Sequence, residues 1–469
     1  MMSYKFWYKG ICFEVPESWM KKHPGGDKVF KIFQNRDATD VVLAAHSLEA
    51  QDLVKRMVAS SRSKENKHLY NGVEVREFDK NPSGSEVIQR NRNVMNNFED
   101  TDYMKLVRIA REEELFKPSI LMELIKAFYS FGFVLLGAYL CITSAHKWLG
   151  SFFIAFGWYQ LGWLGHDWSH HNCLPISNSF YCRVNDWMAY MTCIARGTTL
   201  LAWKLRHNTH HMATNEVGND PDIKLSPVLH FFEDFKAEND VRKYQAWYYL
   251  PFISLLHIYW HVESYLTCLK HMNGKNAANR MWARYDIISI IMHLLWVSGV
   301  MYYGNCIIPI ISAYYMSGFM TAIVVFASHY GEERLHGMQP SQDGKNVKFL
   351  GLLEQTSKTV RNISGFFGGW LDEEIVFHLT GGLNVQFEHH LFPTMPRHNL
   401  RKMTPHIKRM CKEKGFPFHE SNLYHCTKIC VQMLADNVKR NLNRLSYLRI
   451  IKKYDDKNNG ISCKRMPAL

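Results

Sequence analysis

The stretch Gln386-Phe387-Glu388-His389-His390-Leu391-Phe392-Pro393 closes the last long apolar region of the chain. Adjacent imidazoles cannot share one helix face, so this pair needs ligand partners from elsewhere. Two upstream clusters supply them: His166-Asp167-Trp168-Ser169-His170-His171 and His207-Asn208-Thr209-His210-His211. On a helix, His207, His210 and His211 stand at i, i+3 and i+4, which puts all three on one face. His166 and His170 are likewise i and i+4, with His171 turned slightly aside. Together with His389 and His390 these make eight imidazoles. One tetrahedral zinc takes four ligands, so the set suits two first-row metals, and imidazole is a good ligand for iron. Gln386 stands where a ninth imidazole is expected, and offers an amide oxygen or a hold on a water. His329, beside Tyr330, reads either as a further ligand or as a helix-end histidine capping carbonyls.

Four stretches, residues 127–145, 148–165, 287–303 and 307–328, are each close to the ~20 apolar residues a bilayer core requires, and they read as two helical hairpins. A fifth candidate, residues 246–262, is broken by Pro251 and carries His257 and His261. Were it to cross, an odd number of spans would separate the second histidine cluster from the third and put them on opposite faces. It is therefore expected in the interface, where Trp247, Tyr248, Tyr249, Tyr259 and Trp260 are well placed. Residues 180–203 contain Arg183, Asp186 and Arg196, expensive at mid-bilayer, and are expected to stay on one side. With four spans, the N-terminus, all three clusters and the C-terminal tail share one face.

A mean hydropathy of −0.24 averages very apolar blocks with very charged ones, and the formal charge of +13 lies in the segments flanking the apolar blocks. That distribution fits an anionic membrane face rather than nucleic acid. The eleven cysteines show no secreted-type spacing and are expected to be reduced thiols. Cys426, Cys430 and His425 lack the second ligand pair that a zinc site requires. The first residues, Met-Met-Ser-Tyr-Lys-Phe-Trp, lack the uninterrupted apolar core of a signal peptide, so the first domain is expected on the cytosolic side.

In the first 75 residues, Trp7, Phe13, Val15 and Trp19 are expected core positions. His23-Pro24-Gly25-Gly26 and, later, Asp37-Ala38-Thr39-Asp40 precede His46. Two histidines next to turn or cap signals can meet across a pocket, with glycines letting the backbone approach a flat ligand. Imidazoles on both faces of a haem iron leave no open position for oxygen and make an electron carrier. This segment resembles cytochrome b5, with His23 and His46 as the axial ligands. Residues 76–118 read as a polar linker with an amphipathic run from Tyr103 to Arg111, which fits a membrane-surface helix and a packed helix equally well.

The three histidine clusters, the Gln-led third one, Gly381-Gly382-Leu383-Asn384, the stretch from Leu391 to Asn399 and His210-His211-Met212-Ala213-Thr214-Asn215 resemble the membrane fatty acid desaturases, specifically the front-end group with an N-terminal cytochrome b5 domain. Animal delta-5/delta-6 type enzymes acting on polyunsaturated chains are the nearest likeness. The likeness covers nearly the whole chain, with Asp372 to His378 reading as an insertion. It implies a small α+β cytochrome b5-like domain (1–75), a linker (76–118), an all-α integral membrane body with four transmembrane helices and a cytosolic cap (119–402), and a basic cytosolic tail (403–469). It implies catalysis at His166, His170, His171, His207, His210, His211, Gln386, His389 and His390, with two iron ions held by those histidines and, at the margin, by His329 and Gln386. Haem b would sit between His23 and His46. Electrons would pass from NADH-cytochrome b5 reductase through the haem to the di-iron centre. O2 would then be used to remove two hydrogens from the acyl chain of an acyl-CoA or phospholipid. The expected location is the endoplasmic reticulum membrane, with N-terminus, histidine boxes and C-terminus cytosolic. Rival readings are a sphingolipid long-chain-base desaturase, a fatty acid hydroxylase, and a haem-binding electron donor without acyl activity.

Overall fold

The computed structural model describes residues 3–21, 23, 26, 28–60, 69–70, 73–74, 84–174, 179–225, 228–231, 241–337, 339–340 and 347–457. Pro24 and Gly25 of the first histidine turn, and Asn81 to Ser83 of the linker, lie outside the described residues. The fold is mostly helical, with a small N-terminal hairpin.

That hairpin pairs Ser3–Tyr8 with Ile11–Pro16 in antiparallel register. Its two-residue turn, Lys9-Gly10, has positive φ at both positions (46° and 76°), the twist a tight hairpin needs. Beneath it lie the helices Thr39–Ala45 and Leu48–Ala59, the latter capped by Ser47, whose Oγ accepts from Ala50 N at 3.2 Å. Such a cap is worth about 1 kcal/mol. Phe6, Tyr8, Phe13, Val15, Met20 and Val58 form the core, whereas Trp7 and Trp19 are only partly buried. The helix Gly84–Asn96 adds Met95 to this core, and Asn91 Nδ2 donates to Ala59 O at 3.1 Å.

Asp102–Glu112 is a packed helix. Its apolar face, Tyr103, Leu106, Val107 and Ala110, is buried against the third-cluster segment, and Tyr103 OH donates to Leu391 O at 2.8 Å. This settles the amphipathic run from Tyr103 to Arg111 in favour of packing, because its apolar stripe is consumed by protein contacts.

Among the described residues, three helices are long and apolar enough to cross a membrane: Ile120–Thr143, Ala277–Gly304 and Ile307–His329. Their outer faces carry large apolar side chains, with Phe128 and Tyr302 more than four-fifths exposed, the surface expected of a chain whose solvent is lipid. Asn305, in the left-handed region with φ 46°, turns the second of these helices into the third. From Ile154 onward a fourth long helix, Lys147–Ser169, is enclosed by Ile120–Thr143, Ser179–Arg196 and Ile307–His329 and buries Ile154, Trp158, Leu161 and Leu164. Being wrapped in protein, it can carry Trp, Tyr, Gln and Gly where a lipid-facing helix would carry Leu and Ile. The interfacial candidate is broken into Gln245–Ile253 and Leu256–His271, with Trp247 outward and Tyr249 buried.

The C-terminal region is tied in. The strand Arg361–Ser364 pairs in parallel with His419–Asn422. Cys430 and Leu434 of the last helix, Leu423–Lys457, are fully buried against Phe326 and Tyr249. Cys426 and Cys430 are buried free thiols. Asp372 and Glu373, at the start of the helix Trp370–Leu379, accept from the backbone N–H groups of Phe367, Gly368 and Gly365.

The first two long helices meet backbone to backbone. A Cβ on Gly150 would lie 2.8 Å from Gly137 O and 2.7 Å from Cys141 Sγ, so only glycine fits at this crossing, the close approach typical of small-residue helix contacts in membranes. Gly132, on the same helix as Gly137, has nothing within 4 Å of its Cβ position. Gly150→Leu is expected to push the helices apart at a cost above the roughly 1–3 kcal/mol of ordinary overpacking, whereas Gly132→Ala should be neutral or slightly stabilising. Thermal unfolding of the detergent-solubilised protein distinguishes the two, and equal midpoints would refute the close contact.

Candidate metal centre

The second histidine cluster lies on the helix Leu200–Met212, where the i, i+3, i+4 spacing carries His207, His210 and His211 round one side. His166 lies in the last turn of the helix Lys147–Ser169, and His170 is its C-cap. His389 and His390 lie on the short helix Gln386–Leu391. That helix is held from behind by Asn362, whose Oδ1 accepts from Phe387 N and whose Nδ2 donates to the buried Glu388 carboxylate, both at 2.8 Å. His329 closes Ile307–His329.

The side chains gather into two groups. His166, His170, His207, His211 and His389 form one, and His210, His329 and His390 the other, with the candidate ligand atoms of each within 4.8 Å of one another. The adjacent His389 and His390 are thus divided between the groups, as two neighbours on a helix must be.

In the first group His207 Nε2 lies 3.0 Å from both His166 Nε2 and His211 Nε2, and His211 Nε2 lies 3.1 Å from His389 Nε2. Ring nitrogens sharing one metal at about 2.0–2.1 Å in perpendicular directions are about 3 Å apart, so this convergence fits a common ion. His170 Nε2 is buried without a hydrogen-bond partner and completes the five.

In the second group each ring is held at Nδ1 from outside. His210 Nδ1 meets Asp220 Oδ2 at 2.9 Å, His390 Nδ1 meets Thr214 Oγ1 at 3.1 Å, and His329 Nδ1 meets Thr359 O at 3.3 Å. Holding Nδ1 fixes the tautomer and turns Nε2 inward, the usual outer support of a metal-binding imidazole. His390 Nε2 is accordingly buried and unpaired. Gln386 reaches this group with its amide 2.9 Å from His329 Nε2, and its Oε1 is buried and unpaired. Amide N and O are interchangeable in such an assignment, and with oxygen inward Gln386 offers a fourth donor.

Burial first, then the neighbouring imidazoles, hold His170, His207, His211, His389 and His390 well below their usual pKa, so they are neutral, the form that binds metal. Burial also pulls His210 down, but Asp220 and Asp222 more than offset it and leave the ring above its usual value.

His171 differs from the expectation. It sits at φ 61°, which swings its ring off the helix, and its Nε2 lies 2.7 Å from Asp186 Oδ1 and 3.2 Å from Lys204 Nζ. Among the described residues it enters neither group. The reason is the end of the helix: His170 is the last residue near helical geometry, so the i+5 side chain leaves the ligand face.

The supporting shell was not read from the sequence. Asp167 is buried 2.8 Å from Arg397 Nε and 3.3 Å from Lys126 Nζ, and Lys126 also meets Glu123 at 2.6 Å. This network ties the first and third histidine segments to the first long helix. Asn215 donates from Nδ2 to His329 O at 2.9 Å and joins the second segment to His329. The signals were present, an acid beside His166 and an Asn-Asp pair after the second cluster, but their partners are far away in sequence.

His23 and His46 face each other with ring centroids 5.8 Å apart, and both Nδ1 atoms are buried without a partner. Two imidazoles bonded at about 2 Å to one metal between them have centroids about 6 Å apart, so the pair fits axial ligation of a flat metal cofactor. Burial, then His46, pushes His23 down to about 4, and burial lowers His46, so both rings are neutral.

A cavity of about 310 Å³ opens beside both groups, with His166, His207, His210, His329 and Gln386 on its wall. Its mouth is marked by the exposed Lys224 and Tyr259, and much of its lining is apolar.

His329→Ala is expected to remove one of two bound metal ions, whereas His171→Ala keeps both. Metal analysis of the purified variants reads this directly, and equal metal content in the two would contradict the grouping.

Residues 142–422 match the sequence model of the fatty acid desaturase family. An acyl-lipid 8-desaturase of Rebecca salina is 33% identical over 88% of this chain and 87% of its own length. A delta(8)-fatty-acid desaturase of Euglena gracilis is 28% identical over 88% and 91%, and a delta(5) fatty acid desaturase of Caenorhabditis elegans is 28% identical over 86% and 89%.

Proposed function

This chain belongs to the fatty acid desaturase family, and on that premise we propose that it is a front-end desaturase, an oxidoreductase that uses O2 to place a double bond between the carboxyl end and an existing double bond of an acyl lipid. The observation that carries this reading is the cavity: one apolar channel, open at Lys224 and Tyr259, has both groups of imidazoles on its wall. A chain lying in it passes both groups while its head stays in solvent.

His166, His170, His207, His211 and His389 hold one iron ion, and His210, His329, His390 and Gln386 the other, while His23 and His46 hold haem b. The irons supply oxygen activation and the haem one-electron transfer. The protein's own residues do the rest. Asp220, Thr214 and the Thr359 carbonyl keep three Nδ1 atoms occupied and their Nε2 atoms inward. The apolar lining excludes water from the reacting carbons and holds the chain against the imidazoles.

The N-terminal unit is the electron-delivering domain, and among the described residues its contacts with the body include three polar or close-packed ones near the histidine segments. The Arg36 guanidinium grips Glu216 with two contacts of 2.8 and 2.6 Å. Asn276 Nδ2 donates to His23 O at 3.1 Å. Gly26 lies against Leu205, two residues before His207, with its Cβ position 3.3 Å from the leucine Cδ2. NADH-cytochrome b5 reductase is the electron source. Lys147–Ser169 is the fourth span, its polar content tolerated because protein rather than lipid surrounds it. The chain lies in the endoplasmic reticulum membrane with its N-terminus, histidine groups and C-terminus on the cytosolic face. This arrangement is supported by the N-terminal unit and the last helix packing at the same end of the spans as the histidines.

In yeast fed linoleic, linolenic and dihomo-linolenic acids, expression of this chain is expected to give a product with one added double bond on the carboxyl side. His390→Ala should abolish the product and leave haem absorbance intact, and His23→Ala should remove the absorbance. A 2-hydroxy acid or a desaturated sphingoid base in place of that product would overturn the assignment.

A further inference from the structure

Arg196 is the last residue of the helix Ser179–Arg196, and it lines the cavity from within. Only 6% of the residue is exposed, and among the described residues its Nε and Nη2 have no hydrogen-bond partner. The two carboxylates on the same cavity wall, Asp222 and Glu263, are both engaged by Arg206. The Arg196 guanidinium lies against Trp260, whose ring centroid is 5.2 Å from Cζ. A buried guanidinium with unpaired N–H groups is costly unless something in the cavity answers it.

Its position says which part of an acyl lipid that is. A Cβ on Gly162 would be 2.9 Å from Arg196 Cζ, and Gly162 is one helical turn, about 5–6 Å, from His166. The guanidinium therefore lies about one turn from the first group of imidazoles, deeper than the mouth, where Tyr259 is 47% exposed. A bulky lipid head, needing solvent, stays at the mouth, so hydrocarbon reaches Arg196. The electron-rich feature that a hydrocarbon chain can present to a cation is a carbon-carbon double bond, a π donor weaker than the aromatic faces that attract cations and N–H groups most strongly.

We propose that Arg196, backed by Trp260, is the seat for a cis double bond already present in the acyl chain, and so sets the requirement for prior unsaturation. This rests on the cavity being the acyl channel of a front-end desaturase. A saturated chain leaves the guanidinium unanswered. An unsaturated one pairs it and fixes which carbons lie at the metal-facing imidazoles.

The test compares full-length wild type, Arg196→Met, Arg196→Lys and Trp260→Leu on matched 18- and 20-carbon acyl chains that carry or lack the double bond nearest the new one. Size-exclusion elution and iron content identify the variants that fold. The expected result is that Arg196→Met narrows the kcat/KM preference for the unsaturated chain about two- to fivefold, with the larger loss on the chain that carries that bond. Trp260→Leu should move the ratio the same way by less, and Arg196→Lys should keep part of the preference. If Arg196→Met does not fold, the Trp260→Leu ratio decides. An unchanged ratio in folded, active variants overturns the proposal. So does an equal loss on both chains, which would mark Arg196 as a holder of the ester carbonyl. A wild type inactive on every chain would instead remove the functional reading on which the seat rests.

Discussion

Eight imidazoles packed into two small buried volumes are the constraint that the rest of the structure serves. Nε2 atoms 3.0 Å apart have at most one proton to share between each pair, and the surrounding protein offers them few other partners. Such a cluster is unfavourable by itself and favourable around metal, because two cations answer all the lone pairs together. Every element near it limits the ways it could relax otherwise. Asn362 and Glu388 anchor the third segment, Asp220 and Asn215 the second, and the Asp167, Arg397 and Lys126 network the first. Removing Asp167 would leave the buried Arg397 without its carboxylate partner, a loss of roughly 3–5 kcal/mol.

The same constraint explains the arrangement of the spans. Lys147–Ser169 must deliver His166 from the middle of the bundle, so protein surrounds it and its composition departs from that of a lipid-facing helix. The helices around it carry the apolar surface in its place. The glycines at 137 and 150 allow the first hairpin to close tightly enough to bring Lys126 and Glu123 to the level of Asp167.

The cavity joins two kinds of chemistry. Near its wall of histidines and Gln386 it is a place for redox work, and around Arg196 and Trp260 it is a place for recognition. Arg206 separates the roles by engaging both Asp222 and Glu263, which leaves Arg196 without an acid. Two arginines ten positions apart thus meet opposite fates: one is fully paired near the mouth, the other is buried and open to whatever enters.

Much of this was legible in the chain itself. Helical spacing put His207, His210 and His211 on one face, the incompatibility of adjacent imidazoles on one face required His389 and His390 to find ligand partners elsewhere, and apolar length marked the long helices, because these are local properties of a backbone with a fixed repeat. Local rules also left His329 and the Tyr103 to Arg111 run undecided, since a helix-end histidine and an amphipathic stripe look alike whatever they later touch. Contacts between distant segments packed the run, with Leu391 beside Tyr103, and brought His329 beside Gln386 and His390. They also removed His171 from the ligand face, where the helix ended one residue too soon, and exposed the partners of Asp167 and the solitude of Arg196. What the sequence by itself determined was which residue types recur at metal-binding intervals. Only the tertiary structure decided which of them converge and which buried charges are left unanswered, because convergence and burial depend on residues far apart in the chain.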